Sequence, residues 1–399
     1  MKDCKKIEEM KEELKQSPIF AMSLSSKELF HSNFWEWLFE RNVEYIKIFF
    51  EDFEYKGDVE KYGPVKREDG HRDITIWQCW DGKNKLNNAY IIENKFKSLP
   101  DKAQLERYQS KVKESNKIFC KGVITGIVKP TFVDSKPLSD WWSFKSYKEI
   151  GEKIKECAQR IEKDEFEKEL ITKYAEMIIH LHNILVSAIS TKDKSLFLSN
   201  EAIDLCKDLR IYDVLQKLKA SEFVEYLDKD LRNNQEIAKN VNGYSLSINS
   251  DFGNSASINI LYKKENDELN IQIAKSNNGW VYRWCVGKDE KFFIGNTKEV
   301  EAKLNEFFAE YINKGWFVDY KENLNKNSSK YKKRIKNHIG NEMLVTSQSK
   351  PYCVFDCTKT EHIMLICQYW NIQEGEKYSN IINRIKQDMK LAQDILEKQ

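Results

Sequence analysis

The stretch AYIIENKF, residues 89–96, decides the fold. Ala89 to Ile92 is a short apolar run with β-branched and aromatic side chains, and it is followed by charge, so it reads as a strand. A strand that is apolar at successive positions is covered on both faces, which places it in the middle of a sheet. Charged side chains at the end of such a strand are costly unless they are paired or bind a cation. Because side chains alternate along a strand, Glu93 and Lys95 share one face, while Asn94 and Phe96 point the other way.

Moving upstream, RDITIW from Arg72 is a second strand signal. The intervening DGKNKLNN is turn-forming or polar throughout, so the two strands are expected to pair as a hairpin, with Asp73 beside Glu93 and Lys95. YIKIFF, residues 45–50, is a further strand candidate. Ahead of it, residues 3–16 form a charged helix stopped by Ser17-Pro18. SSKELFHSNFWEWLFER is a second helix, capped by Ser25 or Ser26, with Phe30, Phe34, Trp37 and Leu38 on its core face. Downstream, DKAQLERYQSKVKESN is a helix beginning near Asp101, and IFCKGVITGIV is a strand ending at Lys129-Pro130. WWSFKSYKEIGEKIKECAQRI, with periodic Ile150, Ile154 and Cys157, is expected to be a helix covering the sheet. Helices and strands mixed in this way make an α/β core.

From about Asp164 to Lys239 the pattern is helical, and after Gly243 it turns to short alternating strands: YSLSINS, SASINILYKK, ELNIQIAK and WVYRWCV. A helix around Lys298–Asn313, a basic segment from Lys321 to Lys336 and a terminal helix from about Tyr378 complete the chain. The expected organisation is a core over residues 1–160, a helical extension packed on it over 161–240, and an α+β domain over 241–399.

Composition narrows the function classes. The 65 basic residues nearly balance 63 acidic ones in a chain of 399, a formal charge of +2, so any nucleic-acid contact must be local. Nine cysteines without a CxxC pair suit a reducing cytoplasm, read as small apolar side chains and offer no zinc framework. The charged N-terminus is not a signal peptide, and the longest apolar stretch, EMIIHLHNILVSAI, is too short to cross a bilayer, so no membrane partner is expected. Gly122 and Gly126 lie in an apolar strand with no Gly-Lys-Ser/Thr after them, which excludes a phosphate-binding loop.

Two carboxylates converging at a strand edge beside an ammonium suit an oxygen-loving divalent cation and a phosphodiester. The plainer reading of Glu93 and Lys95 is a cross-strand ion pair on a wet surface, and it stays open on the ExK string alone. Glu28, on the residues alone, reads as a first-turn acid favoured by the helix N-terminus. His31 and His71 are candidates to approach phosphate, Glu68 and Arg72 to support the site by ion pairing, and His180 and His182 are core or interface residues.

The segments KELFHSNFWEWLF, REDGHRDITIW, AYIIENKFKSLPDKAQLERY and WWSFKSYKEI, in that order, resemble the PD-(D/E)XK nuclease superfamily, in particular a bacterial nuclease-like branch with a leading glutamate helix. The likeness covers about residues 17–155, with RDI in place of the nominal PD. It implies a restriction-endonuclease-like core, a central mixed sheet flanked by helices, followed by the helical extension and a separate α+β C-terminal domain. Asp73, Glu93 and Lys95 match the catalytic motif, Glu28 the helix glutamate that adds a metal ligand, and Gln104 and Tyr108 a Gln-x-x-x-Tyr element. The last two, four apart on a helix, also share a face on spacing alone. The implied cofactor is Mg²⁺ or Mn²⁺. The implied activity is cleavage of nucleic acid, DNA ahead of RNA, in restriction, defence or repair, with a homodimer or protein partner in view. The alternative is a nucleic-acid-binding or structural protein that keeps the fold without turnover.

Beyond that likeness, Lys332, Lys333, Arg334 and Lys336 form a basic run that reads as a phosphate-contacting patch or a solvated loop. The aromatics of GWVYRWC and KGWFVDY read as core residues ahead of base-stacking ones.

Overall fold

The computed structural model describes residues 2–24, 28–55, 65–68, 72–80, 85–96, 102–114, 118–134, 136, 138–190, 194–233, 241, 243–251, 256–264, 267–276, 279–289, 299, 302–303, 306, 309–311, 313–316, 333–336, 342–345, 352–355 and 363–398. The chain divides into two compact units, Met1–Thr191 with Leu198–Ser221, and Lys192–Phe197 with Glu222–Gln399. Among the described residues no helix is long and apolar enough to cross a membrane.

The first unit is an α/β core. Its mixed sheet holds β1 (Val65–Arg67), β2 (Ile74–Trp80), β3 (Lys85–Lys95), β4 (Ile118–Gly126) and β5 (Trp142–Ser146), side by side in chain order. β1, β2 and β3 are antiparallel neighbours, whereas β3, β4 and β5 run parallel. The helices are α1 (Lys2–Gln16), α2 (Pro18–Ser23), α3 (Glu28–Arg41), α4 (Lys102–Glu114), α5 (Tyr147–Ala158) and α6 (Glu165–Ile189), followed by α7 (Asn200–Asp208) and the part of α8 (Tyr212–Asn233) up to Ser221. Ser17 and Pro18 act as expected: Pro18 opens α2, and the Ser17 side chain caps it by accepting from the Phe20 amide. Ser25 and Ser26, the expected caps of α3, lie outside the described residues.

β3 is central, and Ala89, Tyr90, Ile91 and Ile92 are all buried, as an unbroken apolar run requires. Its two faces feed separate cores. Tyr90, Ile92 and Phe96 join the larger one with residues of α3, α5 and α6, whereas Ala89 and Ile91 join Leu105, Tyr108 and Val112 of α4. Gly122 admits the Trp142 ring of the next strand, since a Cβ there would lie 2.2 Å from it.

The structure corrects two expectations. Val43–Ile48 is a 3₁₀ helix and not a strand. A short apolar run does not distinguish the two, and here the Asn42 side chain accepts from the Glu44 amide at 2.9 Å and starts a turn that buries Tyr45, Ile46 and Ile48. WWSFK does not belong to the following helix either: Trp142–Ser146 is β5, paired in parallel with β4. The helix begins at Tyr147 because Ser146 and Glu149 close a reciprocal capping box. The edge strand β1 had no counterpart in the sequence reading.

The second unit carries a six-stranded sheet in the order β12-β13-β9-β8-β7-β6, antiparallel throughout. Its strands are β6 (Ser245–Asp251), β7 (Ser257–Lys264), β8 (Asp267–Ser276), β9 (Gly279–Asp289), β12 (Tyr352–Phe355) and β13 (Ile363–Asn371), while β10 (Lys333–Lys336) and β11 (Glu342–Val345) pair separately. The C-terminal helix Tyr378–Glu397 is tied to this sheet through Asp388, which accepts from the Tyr282 hydroxyl at 2.6 Å and the Trp284 indole at 2.7 Å. Trp280, Tyr282 and Trp316 are buried, so these aromatics are core residues. Cys285 is disulfide-bonded, an exception to the reading of the cysteines as plain apolar fillers. Of the expected helix around Lys298–Asn313, only scattered positions are described.

Candidate active site

The site is assembled at the end of β3 and the start of β2. Ile74 stands opposite Ile92, so Asp73, one residue earlier, comes level with the end of β3. Its Oδ2 accepts the Asn94 backbone N–H at 2.7 Å, which locks the carboxylate against the strand. Glu93 and Lys95 share the face of β3 turned toward α4, and their charged ends meet at 2.8 Å. The Glu93 side chain is only 2% exposed and that of Lys95 11%, so this is not the solvated surface pair of the plainer reading. Gln104, on α4, donates to Glu93 Oε1 at 3.1 Å and to the Tyr108 hydroxyl at 2.6 Å. The helical i, i+4 spacing thus sets Tyr108 against Gln104, which in turn holds the Glu93 carboxylate.

The charges in this cluster do not balance. Burial, and then the neighbouring Glu93 charge, push the Asp73 carboxyl up to about 7. Burial also raises Glu93, against the opposing pull of Lys95. For Lys95 burial works against the charge, but Glu93, Asp73 and Glu28 together hold the ammonium above its usual value. Glu93 Oε2 is buried without a hydrogen-bond partner. A buried carboxylate oxygen left bare costs desolvation energy that a cation would offset.

The opposite face of β3 carries a second set of contacts. The Asn94 side chain donates through Nδ2 to the Glu28 carbonyl at 2.8 Å. Its Oδ1 accepts from the Tyr147 hydroxyl at 2.7 Å and from the Thr125 hydroxyl at 3.3 Å. The Glu28 carbonyl also accepts from Ser32 Oγ at 3.2 Å. Next to Tyr147 lies His31, fully buried, with Nδ1 3.0 Å from the Tyr174 hydroxyl. Burial lowers the His31 pKa to about 3, so the ring is neutral and has no route to a phosphate.

A parallel β3-β4-β5 set with an antiparallel β2-β3 hairpin thus carries Asp73 beside a Glu-x-Lys pair. Residues 18–176 match the family model of the PD-(D/E)XK nuclease superfamily. The match runs from α2 into α6 and takes in the whole five-stranded sheet, so the superfamily assignment holds for this segment. No curated protein and no solved structure matches the chain.

Within the matched segment the structure brings together Asp73, Glu93, Lys95, Gln104 and Tyr108. The carboxylate of Glu28 acts electrostatically on Asp73, Glu93 and Lys95. Among the described residues no group of three or more His, Cys, Asp and Glu side chains is gathered that could hold a metal ion. Glu68 pairs with Arg67 at 3.8 Å. His180 pairs with Glu13 at 3.4 Å. His71 and Lys332 lie outside the described residues, and Lys333, Arg334 and Lys336 fall in β10, whose backbone alone is described.

Sequence reasoning placed Asn94 on the far face but missed its partners. One signal was available: Thr125 is a hydroxyl inside the apolar strand IFCKGVITGIV, and a buried polar group needs a partner.

Proposed function

We propose that the chain hydrolyses nucleic-acid phosphodiester bonds with a divalent cation, DNA ahead of RNA, from the site formed by Asp73, Glu93 and Lys95. The observation that carries this reading is the buried Glu93–Lys95 pair beside Asp73, with Glu93 Oε2 bare. Two carboxylates suit Mg²⁺ or Mn²⁺, which keep several of their waters and bind through one or two carboxylates plus substrate phosphate. When bound, the ion neutralises phosphate charge and supplies a water of lowered pKa.

The side chains then have distinct tasks. Asp73, held by the Asn94 amide, and Glu93 present oxygens to the ion, with Glu28 as a further acid nearby. Lys95, kept charged by these acids, stabilises negative charge on the phosphate and orients the attacking water. Gln104 holds Glu93 in place and connects it to Tyr108. The branch with a leading glutamate helix, and a role in restriction, defence or repair, are the finer readings we attach to this site. We also propose that Lys332, Lys333, Arg334 and Lys336 contact the backbone of the substrate, and that the segmentation into residues 1–160, 161–240 and 241–399 reflects catalysis, its helical support, and substrate or partner binding, including self-association.

The test is cleavage of linear, circular and single-stranded DNA and of RNA with Mg²⁺, Mn²⁺ or EDTA, run on the wild type and on Lys95→Ala. Metal-dependent cleavage lost in the variant supports the assignment. A folded wild type that binds nucleic acid and cuts nothing would make it a binding protein.

A further inference from the structure

We infer that Asn94, the residue between the two charged members of the motif, is a positioning residue that sets the Glu28 carboxylate against Asp73; the inference rests on the nuclease reading of the site. Asn94 reaches both elements at once. Its backbone N–H holds the Asp73 carboxylate, and its side-chain amide holds the Glu28 carbonyl, in the first turn of α3. Residues 28 and 94 are far apart in sequence, so this bond fixes where α3 begins relative to the end of the catalytic strand.

The orientation of the amide is not a free choice. The Glu28 carbonyl can only accept, so Nδ2 must face it and Oδ1 must face the hydroxyls of Tyr147 and Thr125. Asn94 is 1% exposed, and Tyr147 and Thr125 are fully buried, so no water competes for these bonds. Tyr147 is itself clamped, its ring stacked on Phe96 at 5.5 Å and met edge-on by His31 at 5.1 Å. The anchor is therefore rigid on the side away from the site, and it acts toward the site through the Glu28 carbonyl. Losing it frees the first turn of α3 to move without disturbing the Asp73 bond, which is made by the backbone.

Partners that orient a metal-binding side chain typically alter metal affinity or activity by about 10- to 100-fold when removed. The experiment uses the full chain as wild type, Asn94→Ala, Tyr147→Phe, Glu28→Gln and the Asn94→Ala/Glu28→Gln double variant. It reads the Mn²⁺ concentration for half-maximal DNA cleavage, together with amide exchange across Glu28–Ser32. Asn94→Ala is expected to raise that concentration about 10- to 100-fold and to speed exchange in the first turn of α3. Tyr147→Phe should shift it the same way by less, and Asn94→Ala should add nothing once Glu28 is Gln. A lesion in folding alone would lower the amount of cleavage without moving the Mn²⁺ midpoint, and that result overturns the inference. So does an equal shift in both Glu28 backgrounds, while the nuclease reading stands. A wild type that neither cleaves nor binds Mn²⁺ removes the nuclease reading and this inference together.

Discussion

Removing Lys95 should destabilise the metal-free protein far more than removing Glu93. With Lys95 present, the three acids Glu28, Asp73 and Glu93 share one buried cation. Lys95→Met removes the ammonium that Glu93 meets and that acts on Asp73 and Glu28, whereas Glu93→Gln leaves Lys95 still facing two of the acids. Deleting one partner of a buried pair costs about 3–5 kcal/mol, and the lysine is slightly exposed, so about 3 kcal/mol is expected for Lys95→Met. In the Glu93→Gln background the same substitution should cost about 1 kcal/mol, because the acid that it met at 2.8 Å is gone. A loss of about 3 kcal/mol corresponds to roughly 6–12 °C in the melting temperature of a unit this size. The assay is thermal unfolding by far-ultraviolet circular dichroism at pH 8 in EDTA, above the value of about 7 reached by Asp73. Mn²⁺ in place of EDTA should then recover more stability in Lys95→Met than in the wild type. Equal costs of Lys95→Met in the two backgrounds, or a cost below about 1 kcal/mol as for an exposed pair, would refute the reasoning.

Protonation of His31 supplies a pH test. Above pH 6.5 neither state is charged at this residue; between 6.5 and about 3 the unfolded chain takes a proton that the native ring refuses, so stability falls as pH falls. The contribution is about 2 kcal/mol at pH 5, and urea unfolding of His31→Gln should show a correspondingly flatter pH profile. Gly122→Ala drives a methyl group into the Trp142 ring and should lower stability by about 1–3 kcal/mol in urea denaturation. Replacing Lys332, Lys333, Arg334 and Lys336 together by alanine should reduce the slope of log affinity against log salt by roughly 3 to 4 in filter-binding titrations, if each meets a phosphate; an unchanged slope returns this run to a solvated loop.

What the sequence determined by itself is what short-range geometry dictates. Strand alternation put Glu93 and Lys95 on one face and Asn94 on the other, the hairpin brought Asp73 to them, and a spacing of four on a helix aligned Gln104 with Tyr108. Those relations depend on periods of a few residues, so they are legible without a fold. The sequence did not distinguish a 3₁₀ turn from a strand at Tyr45–Phe50, or β5 from the start of a helix at Trp142, because short apolar runs serve either and the neighbouring strand makes the choice. Nor did it show that Glu93 is buried with one oxygen bare, or that the Glu28 carbonyl, Thr125 and Tyr147 converge on one amide. Burial and hydrogen-bond partnership between residues distant in the chain are properties of packing, and only the tertiary structure decides them.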